Sequence, residues 1–141
     1  MSVTETATDA AAADVLEAHN QPVLGHAIID RDHAEATELL ERLKTAEGSE
    51  FVTLFCELDD HLNAHFKREN TLMTLFSYPQ QDEHSADHTR VLGDMARFRQ
   101  RAEQGRIRFA KAYVSDQLPG WLGLHISTMD AALVRYVNEK S

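Results

Sequence analysis

Apolar and histidine positions recur along this chain in alternating steps of three and four residues. After Asp30, read as an N-cap, they fall at 33, 36, 40 and 43 until Gly48 interrupts the pattern. After Ser49 they fall at Phe51, Phe55, Leu58, Leu62, His65, Glu69, Leu72 and Phe76, and between Asp82 and Gly105 at His84, His88, Val91, Met95, Phe98 and Ala102. The last stripe is Ile107, Val114, Leu118, Leu122, His125, Met129, Ala132 and Tyr136. Each is the buried face of an amphipathic helix. No stretch alternates with period two for long enough to form a strand, and the connections at Gly48-Ser49, Ser77 to Gln80 and Gly105 are short. Short connections make neighbours antiparallel, so the pattern predicts an all-α, antiparallel up-down-up-down four-helix bundle. The ring of Pro119 removes one backbone bond and crowds the carbonyl of Ser115. The last helix is therefore expected to bend near Ser115, leaving that carbonyl to water or a side chain. Residues 1–22 form an Ala-rich acidic arm, helical or frayed, ahead of a bundle domain over 23–141.

Composition narrows the function more than the fold. A chain of 141 residues is one domain's worth, and 43% hydrophobic with 26% charged residues is a soluble, globular balance. Fourteen Lys and Arg against 23 Asp and Glu leave a net charge of −9, which repels phosphate backbones and anionic lipid surfaces, so neither nucleic acid nor membrane is an expected partner. The single cysteine, Cys56, can close no internal disulfide and has no second thiolate for a metal site. The N-terminal stretch has no basic leader region and no apolar run long enough to span a bilayer. Together these predict a cytoplasmic protein. Eight histidines in so short a chain stand out, and six of the seven ionisable groups considered next lie on the predicted seams.

A seam position is buried, and an unpartnered ionisable group there costs several kcal/mol. His33 lies on the first seam, His65 and Glu69 on the second, His84 and His88 on the third and His125 on the fourth, with Asp130 beside it. The pairs His65/Glu69 and His84/His88 are spaced i, i+4, about 40° apart around the helix, so both members reach one point. His125 and Asp130 are i, i+5, a wider angle suited to a carboxylate that reaches round to bridge. Five imidazoles and two carboxylates do not satisfy one another cheaply by hydrogen bonding. A metal does, and this nitrogen and oxygen set without thiolate suits iron, zinc, copper or manganese. Because one zinc takes four ligands, seven point to two ions.

The segments Ile29-Asp30-Arg31-Asp32-His33, His65-Phe66-Lys67-Arg68-Glu69 with Met73, Tyr78-Pro79, His84-Ser85-Ala86-Asp87-His88 and Trp121 through Asp130 resemble the successive motifs of the hemerythrin family, particularly its bacterial members. The resemblance covers roughly residues 24 to 137. It implies a non-haem centre of two iron ions, one held by His84, His88 and His125 and the other by His33 and His65. Glu69, Asp130 and an oxo or hydroxo group would bridge them. The first iron is then six-coordinate and the second five-coordinate, so dioxygen is expected at the His33/His65 iron. Phe66, Trp121, Leu122 and Ile126 are similar to the family's apolar dioxygen pocket. The function implied is reversible dioxygen binding for storage or delivery. An oxygen or redox sensor and a di-iron oxidase or peroxidase are the alternatives. Three departures from the family pattern are Asn70 in place of an acidic residue, the missing tryptophan before the first helix, and Ala36 where a large aliphatic residue is usual. The last predicts a leaky pocket.

Other polar residues are read as peripheral. His61, one turn before His65, offers a rival register but is an extra member of a complete set. His26 is expected to be structural at the entry to the first helix, His19 exposed and Cys56 a half-buried thiol. Arg97, Arg99, Arg101, Arg106, Arg108 and Lys111 form a basic patch, read as a solvated face.

Overall fold

The computed structural model describes residues 3–141, with side chains described from Ala10 onward. Among these there are helices and no strands. Helix α1 spans Val3–Ala18, α2 Ala27–Leu43, α3 Gly48–Leu75 and α4 Gln81–Glu103. A last continuous helical run holds α5 (Arg108–Ala112), α6 (Leu118–His125) and α7 (Ala131–Lys140), joined by π-helical turns over Tyr113–Gln117 and Ile126–Asp130. Helices α2, α3, α4 and the last run form the predicted bundle. The main core gathers Leu40, Phe51, Phe55, Leu58, Leu62, Phe66, Val91, Met95, Leu118, Leu122 and Ile126.

The ends of the helices follow local chemistry. Helix α2 begins three residues before Asp30, and His26 is its N-cap, its ring Nδ1 accepting from the Ile29 amide at 3.3 Å. Asp30 is therefore not the cap. Its carboxylate reaches back to accept the amides of Leu24 (2.8 Å) and Gly25 (3.0 Å), tying the entry loop onto the first turn. At the end of α4, Gly105 takes φ +85°, and the amides of Gly105 and Arg106 return to the carbonyls of Ala102 and Arg101. That left-handed cap is open to glycine at no steric cost.

The arm is a docked helix. Leu16 is fully buried and Ala12 nearly so, packed with Ala34 on the outer face of α2. Ahead of Pro119 the last helical run changes its turn and continues without a loop. One extra residue enters the turn over Tyr113–Gln117, and the Leu118 amide donates to the Tyr113 carbonyl five residues back. Pro119 then lies in the first turn of α6, where a missing N–H costs nothing.

The second π turn shifts the phase of the last stripe. Beyond His125 the expected seam at Met129, Ala132 and Tyr136 is replaced by Asp130, Leu133 and Val137, each one residue later. A single inserted residue in a helical turn has this effect.

Candidate metal centre

Halfway along the bundle all seven ionisable residues meet, each no more than 2% exposed. They form two overlapping groups. Glu69, His84, His88, His125 and Asp130 bring one ligand atom each within 4.8 Å of one another, and so do His33, His65, Glu69 and Asp130. Glu69 and Asp130 belong to both. Glu69 Oε2 faces His65 Nε2 at 3.1 Å, while Oε1 faces His84 Nε2 at 3.2 Å and His88 Nε2 at 3.1 Å. Asp130 divides its oxygens likewise, Oδ2 towards His33 (2.7 Å) and Oδ1 towards His84 (3.0 Å) and His125 (3.1 Å).

The second π turn makes this possible. Five residues along a regular α-helix put His125 and Asp130 about 140° apart. The extra residue brings them onto one face, so Asp130 meets its neighbours directly and does not have to reach round the helix as its spacing implied.

The donors are close but do not satisfy one another. Both oxygens of Glu69 and Nε2 of His65 are buried without an aligned hydrogen bond, although the distances between them are short. Nε2 of His88 and Nε2 of His125 lie 3.1 Å apart, so two lone-pair atoms face each other unless one carries a proton. Buried polar atoms left unmatched in this way are costly. Lone pairs that converge on shared points between the side chains fit metal ions, and imidazole with carboxylate is an appropriate donor set for them.

The metal-free electrostatics have the same origin. His65 is opposed by burial, yet Glu69 and Asp32 beside it raise its pKa to about 10. His84, also against burial, is lifted to about 9 by Asp130 and Glu69. Burial pushes His88 down. Against burial, the surrounding imidazoles hold both carboxyls, Glu69 and Asp130, well below the usual range.

Two residues outside the expected set touch it. Asp32 Oδ2 accepts from His65 Nδ1 at 2.9 Å and from Arg68 Nε at 2.8 Å, and its Oδ1 accepts from Arg68 Nη2 at 2.7 Å. Burial opposes its ionisation, but His65 and Arg68 hold its pKa at about 2. Asp87 Oδ2 accepts from His125 Nδ1 at 2.9 Å and from Trp121 Nε1 at 3.1 Å, with Arg90 on its other oxygen. Neither acid stands on a predicted seam, which is why periodicity passes over them. A signal was present in the dipeptides Asp32-His33 and Asp87-His88.

The expected pocket residues differ in placement. Phe66 is fully buried and stacks on His88, ring centroids 3.9 Å apart and nearly parallel. Leu122 and Ile126 are buried in the same core cluster. Trp121 is half-buried and stacks on His125 at 4.6 Å, its indole N–H spent on Asp87. Ala36 is 2% exposed in that core, one turn from His33. His61 stays outside the cluster, half-buried, its Nε2 donating to the Asp32 carbonyl at 2.8 Å. Asn70 points away from the centre and accepts from Ser85, clamping α3 to α4.

Residues 24–137 match the family model for the hemerythrin HHE cation binding domain. The chain belongs to the hemerythrin family. It is also similar to a bacteriohemerythrin of Ralstonia nicotianae, 28% identical over 117 residues that cover 83% of this chain and 85% of the relative. No solved structure matches the chain. The buried His, Glu and Asp cluster gives this hemerythrin HHE cation binding domain a donor set able to hold metal. Among the described residues no helix is long and apolar enough to cross a membrane.

Proposed function

We propose that this hemerythrin-family chain holds two iron ions, bridged by Glu69 and Asp130 with an oxo or hydroxo group, and binds dioxygen reversibly for storage or delivery in the cytoplasm. The observation that carries the reading is the inequality of the two donor groups. One offers three imidazoles and two carboxylates, the other two imidazoles and the same two carboxylates. The half with His33 and His65 is short of one protein ligand and is the place for a small exogenous molecule. Bound iron would supply the electrons and the open coordination position.

The protein's own contribution is to keep the centre dry and free of spare acids. Phe66, Leu122 and Ile126 close the core against the cluster, and Trp121 covers the outer face of His125. Among the described residues, the carboxyls that hydrogen-bond the ligand set from outside are Asp32 and Asp87, both held ionised by their partners and so unable to deliver a proton. A site with no spare acid favours reversible binding over chemistry.

The test is metal analysis with an optical spectrum of the reduced protein before and after air. Two irons per chain and a coloured adduct that bleaches on degassing, over repeated cycles, is the expected result. One iron or zinc alone overturns the two-iron reading, and immediate irreversible oxidation overturns the carrier in favour of a sensor or an enzyme.

A further inference from the structure

We propose that Asp32 and Asp87 are positioning residues that preset one histidine in each half of the centre, holding Nδ1–H of His65 and of His125 so that Nε2 is the atom presented to a metal. The proposal rests on the reading of the cluster as a metal centre.

The two acids are equivalent in place. Asp32 precedes His33 on α2, and Asp87 precedes His88 on α4. Adjacent helical residues point about 100° apart, so when the histidine faces the centre the acid faces the seam with the next helix. From there Asp32 reaches a histidine of α3 and Asp87 one of α6, each at 2.9 Å.

The direction of these bonds follows from what else the acids hold. An ionised carboxylate only accepts. Every other partner of Asp32 is the Arg68 guanidinium, and the others of Asp87 are Arg90 and the Trp121 indole, all of them donors. So many donors keep both carboxylates ionised. The hydrogen in each histidine contact therefore belongs to the ring, on Nδ1, and the lone pair available to a metal is on Nε2.

The other three histidines have no such support. Among the described residues, Nδ1 of His33, His84 and His88 finds no hydrogen-bond partner. His65 shares its half with His33, and His125 shares its half with His84 and His88. Each half thus has one ring fixed from behind by a negative charge, the arrangement that orients a ligand and raises its basicity.

A purely structural role would need only the arginine pairs. The experiment separates the two. Zn2+ affinity is measured by competition with a chromophoric chelator for the unmodified protein and for Asp32→Ala, Asp87→Ala and Asp87→Asn. Protected ring N–H signals are recorded by 1H–15N NMR in the metal-free and zinc-loaded proteins. Each alanine variant is expected to weaken one of two zinc ions by about 10- to 100-fold. Asp32→Ala should remove the ring signal of His65 alone, and Asp87→Ala that of His125 alone. Asp87→Asn keeps an acceptor without the charge, so it should keep the His125 signal and lose less affinity than alanine.

Ring signals and affinities unchanged in both alanine variants overturn the proposal, as does an equal loss at both zinc positions. If Asp32→Ala does not fold, the half-exposed Asp87 carries the same test. Should the unmodified protein take up no zinc, the metal-centre reading falls, and the metal-free ring signals still decide whether each acid holds its ring.

Discussion

Nε2 of His125 lies 3.1 Å from Oδ1 of Asp130, five residues further along the same helical run. The contact exists because the turn between them is π-helical, with the Ala131 amide reaching back to the Ile126 carbonyl. Inserted residues of this kind gather at functional sites, where the α-helical repeat cannot place two side chains together. Here the same insertion also rotates α7, so that Leu133, Val134 and Val137 enter the core.

Removing the inserted residue should therefore be tolerated, and adding another should not. Deleting the exposed Ser127 turns the segment into a regular α-helix with the histidine and aspartate at i, i+4, while α7 keeps its face. Metal content should stay within twofold of the unmodified protein. Inserting an alanine after Ser127 rotates Asp130 and α7 by about 100°. That should weaken binding in both halves, which share Asp130, and cost on the order of 4 kcal/mol through exposed core aliphatics. Metal analysis and urea denaturation of both variants check the contrast.

The stripes at 33, 36, 40 and 43, at Phe51 to Glu69 and at His84 to Met95 were legible because an unbroken α-helix repeats a buried face every three or four residues. All those positions are buried. Legibility ended where that repeat does. Nothing in Ile126-Ser127-Thr128-Met129 marks an extra residue, so Met129, Ala132 and Tyr136 were expected in place of Asp130, Leu133 and Val137. The docking of α1 was hidden for another reason. Ala12 and Leu16 are the only buried side chains among its described ones, too few to make a stripe. The ligand residues were visible because a buried charge is conspicuous on an apolar seam. Asp32 and Asp87, off the seams, look like any surface acid until the neighbouring helix is in place.

Metal loading should release protons. In the metal-free protein His65 (pKa about 10) and His84 (about 9) are charged at pH 7, and a metal must displace those protons. About two protons per chain should appear on adding Zn2+ at pH 7.5. Indicator-dye titration in weak buffer measures this, and a release near zero would contradict the charge state described here.

The same shifts set the pH dependence of metal-free stability. The folded pKa of His65 lies above its ordinary 6.5, so its contribution is complete below pH 6.5 and is lost as pH rises through about 10. His88 has the opposite sign. Its pKa is lowered by burial, so stability is lost as pH falls below 6.5. The metal-free protein should be most stable near pH 6.5, and metal should flatten the alkaline limb. Urea midpoints from pH 5 to 10, with and without Zn2+, follow both limbs.

Helix α1 should contribute to stability without touching the centre. Leu16→Ala removes a fully buried side chain from the contact with α2. The expected loss is about 2 kcal/mol, at the low end for such a truncation because α1 can detach locally. Denaturant unfolding should register it while metal content is unchanged. No change in stability would mean that α1 does not hold its place in solution.

Ala36 bears on how long a dioxygen adduct would survive. It stands one turn after His33, on the half of the cluster that is short of a protein ligand, and it offers only a methyl among the larger Leu40, Leu122 and Phe66 of the same core. Burial of Ala36 to 2% exposure shows that solvent does not reach it directly, yet an internal gap beside a polar centre can still hold water. Such water would speed oxidation. Ala36→Ile should slow oxidation of the reduced protein in air severalfold, with iron content unchanged. The competing outcome has its own signature. If Leu40, Leu122 and Phe66 already fill the space, the added carbons overpack the core and cost about 1–3 kcal/mol. Stability and oxidation rate measured on one preparation separate the two: slower oxidation with an unchanged melting temperature identifies a gap, while an equal rate with a lower melting temperature shows that the pocket is already closed.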